Sequence, residues 1–299
     1  MKKSFALAPT RLILPALLAH SLCAVSQAQT PASTTAPSTD AAQPSYPGLN
    51  SALWMRWSPE YRAASNQAYQ LATLRLNTAL RSRSWTAALE QKGKFSRLPP
   101  AIIFDMDETI FDNALYNAYA VRENAPYNEE DWKRWNESGL MRALPGALTF
   151  AKYAARKGVT IFYITNRGVT EKAVTIQNLH RLGFPIRSAN HLLLKGAQAH
   201  WKSDKTSRRA FVAQRYRVLL MVGDDFNDFV SAPADASLQQ RLDLQAKHAS
   251  YWGSKWIILP NPAYGSWERA VLRGSDSPSE EIQRKLESLS GFNGKLTHP

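Results

Sequence analysis

Residues 101–112, AIIFDMDETIFD, constrain the fold more than any other stretch of the chain. Ala101, Ile102, Ile103 and Phe104 form a short apolar run, the pattern of a strand covered on both faces in a parallel sheet. The run stops at Asp105, and a chain leaving such a strand emerges at the carboxyl edge of the sheet, where open α/β folds hold their ligands. Asp105 and Asp107 are two apart, so in extended chain their side chains point to the same side. Carboxylates held that close repel unless a cation, a shared proton or strong donors compensate. Taken alone, the stretch also admits a lesser reading as an acidic turn capping the next helix, with Thr109 assisting.

The rest of the chain repeats the strand-then-helix rhythm. Pro145-Gly146 opens a helix that Gly158 closes, and residues 159–164 form an apolar, β-branched strand. A helix over 170–182 follows, with Ala173, Ile176, Leu179 and Leu182 on one side. Residues 191–194 read as a third strand, a helix capped by Ser203 or Asp204 runs to about Arg215, and 218–222 and 256–259 complete five strands. The alternation predicts an α/β fold, a Rossmann-like parallel sheet core with helices on both faces. That core spans 99–275. Ahead of it, 48–98 is a helical segment, with Ser58-Pro59-Glu60 as a start signal. Tyr61, Ala64, Ala68, Leu71, Leu74 and Ala79 recur there at near-helical spacing, and 85–91 continues in helical style.

The core's rhythm is interrupted after its first strand. Residues 113–144 carry Tyr116, Tyr119, Tyr127, Trp132 and Trp135, and read as an insertion, a cap over the carboxyl edge. These aromatics either stack on an aromatic ligand or form a small core of their own. Residues 276–299 are a C-terminal tail.

The ends of the chain bear on where it works. Residues 1–28 have the form of a secretory leader: Lys2, Lys3 and Arg11 are basic, 12–22 is mostly apolar, and Ser26-Gln27-Ala28 offers a cleavage site. An exported protein, periplasmic or secreted, is expected. Cys23 is the only cysteine, and the residues before it are a poor lipid-attachment signal; membrane association is expected only if Cys23 carries lipid. Cleavage near Ala28 leaves no disulfide chemistry. Residues 29–47, rich in Pro, Ser, Thr and Ala, read as a disordered linker. The formal charge of +13 favours anionic partners such as phosphate esters. No basic helix or recognition module points to nucleic acid.

Each core strand ends in polar residues of a distinct kind: Asp105 and Asp107, then Thr165 and Asn166, then Asp224, Asp225 and Asp228, with Lys205 opening a helix nearby. Clustered carboxylates without Cys or His suit a hard, oxygen-preferring cation, Mg²⁺ rather than Zn²⁺. A hydroxyl, an amide and an ammonium are donors suited to phosphate oxygens.

In order and spacing, Asp105-Met106-Asp107-Glu108-Thr109, Thr165-Asn166, Lys205 and Gly223-Asp224-Asp225 resemble the four motifs of the haloacid dehalogenase superfamily of phosphohydrolases. Leu53-Trp54-Met55, Asp131-Trp132, Phe162-Tyr163-Ile164-Thr165-Asn166-Arg167 and Asn261-Pro262-Ala263-Tyr264-Gly265-Ser266-Trp267-Glu268 are similar, within it, to the class C acid phosphatases, the bacterial lipoprotein acid phosphatase and 5'-nucleotidase group. The resemblance implies that Asp105 attacks phosphorus to give an aspartyl phosphate and that Asp107 moves the protons. It implies Mg²⁺ held by Asp105, Asp224 and the Asp107 backbone carbonyl, with Asp228 and Asp225 as outer-shell or auxiliary ligands. Thr165, Asn166 and Lys205 would cradle phosphate, Lys205 being preferred over Lys195 and Lys202. Tyr264, Tyr116 and Tyr119 would line the leaving-group pocket. The expected function is a secreted Mg²⁺-dependent acid phosphatase acting on small phosphomonoesters, nucleoside monophosphates among them. The alternatives are a phosphotransferase of the same fold and a non-catalytic binding or storage relative, the latter opposed by the intact Asp105 and Asp107.

Overall fold

The computed structural model describes residues 48–289, apart from 126 and 234. The expected leader and linker, and the last residues of the tail, lie outside the described residues. Two helices come first, α1 (Leu49–Trp57) and α2 (Pro59–Arg81). They part at Ser58, whose Oγ accepts from the Tyr61 N–H at 2.9 Å while Pro59 occupies the first helical position. The buried stripe of α2 differs from the expected one. It runs through Tyr61, Ser65, Tyr69, Ala72, Leu76 and Ala79, and Leu74 is exposed. Two polar groups can be buried there because each finds a partner: Ser65 Oγ donates to the Pro145 carbonyl (2.7 Å) and Tyr69 Oη to the Thr109 carbonyl (2.6 Å).

The helix expected at 85–91 does not form. Its polar groups are directed to a neighbouring strand instead: the Ala87 N–H donates to the Val218 carbonyl (2.8 Å), Trp85 Nε1 to the Leu219 carbonyl (2.8 Å), and the Gln91 side chain accepts from the Val218 N–H (3.1 Å).

The core elements then follow: β1 (Pro100–Phe104), β2 (Phe111–Asp112), α3 (Ala114–Arg122), α4 (Glu129–Glu137), β3 (Arg142–Ala143), α5 (Ala147–Arg156), β4 (Thr160–Gly168), α6 (Lys172–Leu182), β5 (Leu192–Lys195), α7 (Thr206–Ala213), β6 (Arg217–Gly223), α8 (Leu238–Lys247), β7 (Trp256–Ile258), α9 (Ser266–Val271) and α10 (Pro278–Ser288). Five strands make one parallel sheet in the order β5-β4-β1-β6-β7. The chain winds outward from β1 on one side, then returns to wind on the other. The crevice of such a switch opens at the carboxyl end of the central strand, and here that end is Asp105.

Alternation along the strands feeds two cores. Ile102, Phe104, Tyr163, Leu220 and Val222 pack with α2 and α5, while Ala101, Ile103, Phe162, Ile164 and Met221 pack with Val212 of α7 and with Trp201 and Trp256. Helices therefore cover both faces, as the apolar strand runs predict. The 113–144 insertion leaves and re-enters through the antiparallel pair β2–β3, Phe111 opposite Ala143 and Asp112 opposite Arg142. Its α4 begins where expected, at Asn128, whose Oδ1 accepts from the Asp131 N–H at 2.8 Å. The buried face of α6 is Thr175, Asn178 and Leu179, and Ala173 is exposed. The Asn178 amide donates to the Asn136 carbonyl (2.9 Å), which ties α6 to the insertion. The 276–299 tail contains α10, joined to α9 by Lys285 and Glu268 at 2.6 Å. Among the described residues no helix is long and apolar enough to cross a membrane.

Candidate active site

Asp105 follows β1 directly, and its N–H donates to the Val222 carbonyl of β6 at 2.9 Å. The chain then turns sharply. The Met106 carbonyl accepts from the N–H groups of Thr109, Ile110 and Phe111, and Glu108 has φ of +55°, a left-handed conformation uncommon for a residue with a side chain. The turn buries Glu108 completely, where Asn113 and Asn117 amides (both 3.3 Å) and the Tyr264 hydroxyl donate to it. Burial, and then the charge of Asp107, push the Glu108 carboxyl well above the usual range.

Beside this turn lie the acidic residues that follow β6. Oxygens of Asp105, Asp224 and Asp228 lie within 4.8 Å of one another. Burial, then the Asp105 and Asp228 charges, hold Asp224 well above the ordinary carboxylate range. Burial also raises Asp228, to about 7, against the lowering effect of Lys205. Crowded, buried, all-oxygen donors whose negative charge is this poorly compensated fit a hard divalent cation. Two neighbours orient Asp224: Thr109 Oγ1 donates to its Oδ1 (2.7 Å) and the Asn261 amide to its Oδ2 (2.9 Å).

Lys205 is nearly fully buried at the start of α7, and its Nζ donates to Asp105 Oδ1 and, at 2.6 Å, to Asp228 Oδ1. Lys195 lines the same cleft but is exposed, and Lys202 does not line it. Asp228 fits here only because residue 223 is glycine: a Cβ there would stand 2.2 Å from Asp228 Oδ2. Thr165, buried, and Asn166 end the regular part of β4. Arg208 reaches between them, donating to the Thr165 carbonyl and, at 2.7 Å, to Asn166 Oδ1.

Two acidic side chains of this edge turn to other partners. Asp225 does not join the carboxylate cluster; its side chain accepts from the N–H and Oγ of Ser266, at the start of α9, and from the Asn227 N–H (2.8 Å). Asp107 also stands apart from the cluster through its side chain, which takes Arg167 Nε (2.9 Å) and Nη2 (2.6 Å) as a pair and the Asn113 amide (3.0 Å) as a third donor. Burial alone would raise Asp107, but the Arg167 charge and these hydrogen bonds together hold it below the usual carboxylate range.

Arg167 is the residue that sequence reasoning missed. Its guanidinium carbon lies 5.1 Å from the Phe111 ring centroid and 5.3 Å from that of Trp132, so it joins the sheet edge to the insertion. A signal existed: in a strand continuing past Ile164, residues 165 and 167 share a face.

A cleft of about 1600 Å³ opens over these groups, lined by Asp105, Asp107, Thr165, Asn166, Lys205 and Asp224 at its floor. Of the expected aromatics, Tyr116 and Tyr264 line it. Tyr119 does not; its hydroxyl donates to Asp131 (3.3 Å), and Tyr127 and Trp132 line the cleft instead. Tyr116 packs edge-on against Trp132 at 5.1 Å and against Trp135 at 6.1 Å, so the insertion's aromatics form a small core and a wall at once.

The family model for HAD superfamily, subfamily IIIB (acid phosphatase) matches residues 12–267. The chain belongs to this acid phosphatase family. The class C acid phosphatase from Bacillus anthracis superposes on it with a TM-score of 0.72 and 32% identity, over 82% of this chain and 97% of that one. The same protein with tungstate bound gives 0.71 and 31%. Acid phosphatase 1 of Solanum lycopersicum is 28% identical over 134 residues, 44% of this chain and 52% of that protein. The stem 31 kDa glycoprotein of Glycine max is likewise 28% identical, over 51% of its length. The matched region thus spans about half the length of these plant relatives.

Proposed function

We propose that this protein is an exported, Mg²⁺-dependent acid phosphatase that hydrolyses small phosphomonoesters, nucleoside monophosphates among them, through a phosphorylated Asp105. The observation that carries the reading is the placement of Asp105: at the carboxyl end of the central strand, beside the buried Lys205 ammonium, opening onto the large cleft. An Asp105 oxygen attacks phosphorus, the bond from phosphorus to the ester oxygen breaks opposite it, and Asp107 gives that oxygen its proton. Asp107 then takes a proton from water, which attacks the acyl phosphate and releases inorganic phosphate with Asp105 restored. Because Arg167 and Asn113 depress Asp107, its proton-donating form grows only as pH falls, which suits an enzyme of acidic surroundings.

Thr165, Asn166 and Lys205 would bind the phosphoryl oxygens. Asp105, Asp224 and Asp228, with the Asp107 carbonyl, would hold the cation. When bound, it neutralises the carboxylates that would otherwise repel a phosphate dianion. Tungstate is a tetrahedral oxyanion like phosphate, and its binding to the Bacillus anthracis relative supports an oxyanion site. Tyr116, Tyr127, Trp132 and Tyr264 offer ring faces to a nucleobase. The basic, apolar leader over 1–28 supports export.

The test is phosphate release from nucleotides, sugar phosphates and aryl phosphates between about pH 4 and 7, with Mg²⁺ and with chelator. Release that needs Mg²⁺ and disappears in Asp105→Asn is expected. No release from any monoester, or full activity in Asp105→Asn, overturns the reading.

A further inference from the structure

We propose that the cleft contains a second anion site, formed by Arg241 and Arg269, for substrates that carry a phosphate or carboxylate besides the phosphoryl group delivered to Asp105. The inference rests on the phosphatase reading and narrows its substrate class. Both arginines line the cleft that Asp105, Lys205 and Tyr264 line, and they come from different elements, Arg241 from α8 and Arg269 from α9. Arg241 is held in place: its Nη2 donates to Ser266 Oγ at 2.6 Å, and its guanidinium carbon lies 5.2 Å from the Phe226 ring centroid.

The two cations are close enough to disfavour each other. Burial lowers Arg241 first, Asp225 opposes it, and the charge of Arg269 lowers it further. Asp225 thus offsets part of this charge, but without an ion pair to either arginine among the described residues. Glu268, beside Arg269 in sequence, is paired with Lys285 of α10. Asp225 already accepts from Ser266 and Asn227. Among the described residues neither arginine has an ion pair. Two guanidinium groups without an ion pair in the wall of one cleft, Arg241 held there by Ser266, suit paired hydrogen bonds to two oxygens of a phosphate or a carboxylate.

Their position defines the ligand. The chain of contacts from Arg241 through Ser266 to Asp225 ends one residue from Asp224, so the arginines are tied to the acidic edge and line the cleft that Asp105 lines. On the insertion side, α4 supplies Glu129, Glu130 and Glu137 to the cleft, against one Lys133. Walls of opposite sign orient a substrate with its second anion toward the arginines. Organic bisphosphates and phosphorylated carboxylic acids have this form.

The experiment compares kcat/KM for matched pairs in the Mg²⁺-loaded full chain: adenosine 3',5'-bisphosphate against adenosine 5'-monophosphate, and 3-phosphoglycerate against glycerol 3-phosphate. The first pair reports a phosphate and the second a carboxylate as the extra anion. The wild type is expected to favour the member carrying the extra anionic group in at least one pair by roughly tenfold or more, through KM, the scale of one charge-assisted contact. Arg269→Gln should abolish the preference while changing the plain monoester by less than about twofold, and Arg269→Glu should reverse it. Equal kcat/KM within both pairs, or a preference that survives both substitutions, overturns the second site while leaving the phosphatase reading intact. Hydrolysis of no member of either pair overturns the phosphatase reading, and the second site with it.

Discussion

At the scale of single residues, the division of labour proposed for Asp105 and Asp107 rests on what each one faces. Asp105 faces Lys205 and the other carboxylates, while Asp107 faces Arg167 and Asn113. Arg167 fixes the direction of the Asp107 carboxylate, and on the proposed mechanism it is therefore a positioning residue for the proton that Asp107 would give. Arg167→Lys keeps a charge but loses the paired contact, a change of about 1.5–3 kcal/mol in a charged hydrogen bond. The expected outcome is a kcat lower by roughly tenfold or more for alkyl phosphates, whose leaving oxygen needs the proton, and by less for p-nitrophenyl phosphate, whose does not. An equal loss on both substrates would mean a merely structural role. Asp105, Thr165 and Asp224 were legible in the sequence because each ends or follows an apolar run, and Lys205 because it follows Asp204 at a helix start. Arg167 carried only the weak signal of sharing a strand face with Thr165, and nothing in a linear sequence shows that its guanidinium reaches Asp107, sixty positions earlier. The same holds for Asp225, whose Ser266 partner lies about forty positions on.

At the scale of elements, each strand end needs backbone support that the apolar pattern alone does not reveal. The turn after β1 is braced by α2, because Tyr69 binds the Thr109 carbonyl while the Thr109 hydroxyl binds Asp224. The end of β6 needs glycine. In Gly223→Ala the added methyl meets the Asp228 carboxylate and moves it from Lys205, a displacement costing about 1–3 kcal/mol of stability. Urea unfolding should show that loss, and Mg²⁺ titration an affinity weaker by about tenfold or more. Unchanged values for both would mean Asp228 is not held as described. Strands and their order of appearance were readable from apolar runs bounded by Gly and polar residues. The segment 85–91 was misread because its hydrogen bonds go to β6, more than a hundred residues away, and local pattern carries no trace of them.

At the scale of the whole molecule, the switch of winding direction beside β1 gathers Asp105 from one stretch and Asp224 and Asp228 from a distant one into one cluster, and the stability of the fold must register their repulsion. Without a cation, Asp224 and Asp228 bind a proton more tightly in the folded chain than in the unfolded one, so stability falls as pH rises from about 4, the ordinary carboxylate value, toward their raised values. Asp107 acts in the opposite sense: its contribution is present above the ordinary value and is lost only as pH falls through its depressed one, below about 4. The metal-free Tm should therefore drop between about pH 4.5 and 7.5, and Mg²⁺ should raise Tm more at the upper end. A metal-free Tm that climbs over this range, with no response to Mg²⁺, would contradict the carboxylate assignment.

The central claim is that Asp105 carries the phosphoryl group, and the most direct measurement is to quench the enzyme in acid during turnover of a phosphomonoester and locate the phosphoryl mass by peptide mass spectrometry. The account predicts one phosphoryl group on the peptide containing Asp105, absent from Asp105→Asn. Sustained phosphate release with no adduct there, or an adduct on another residue, would contradict it.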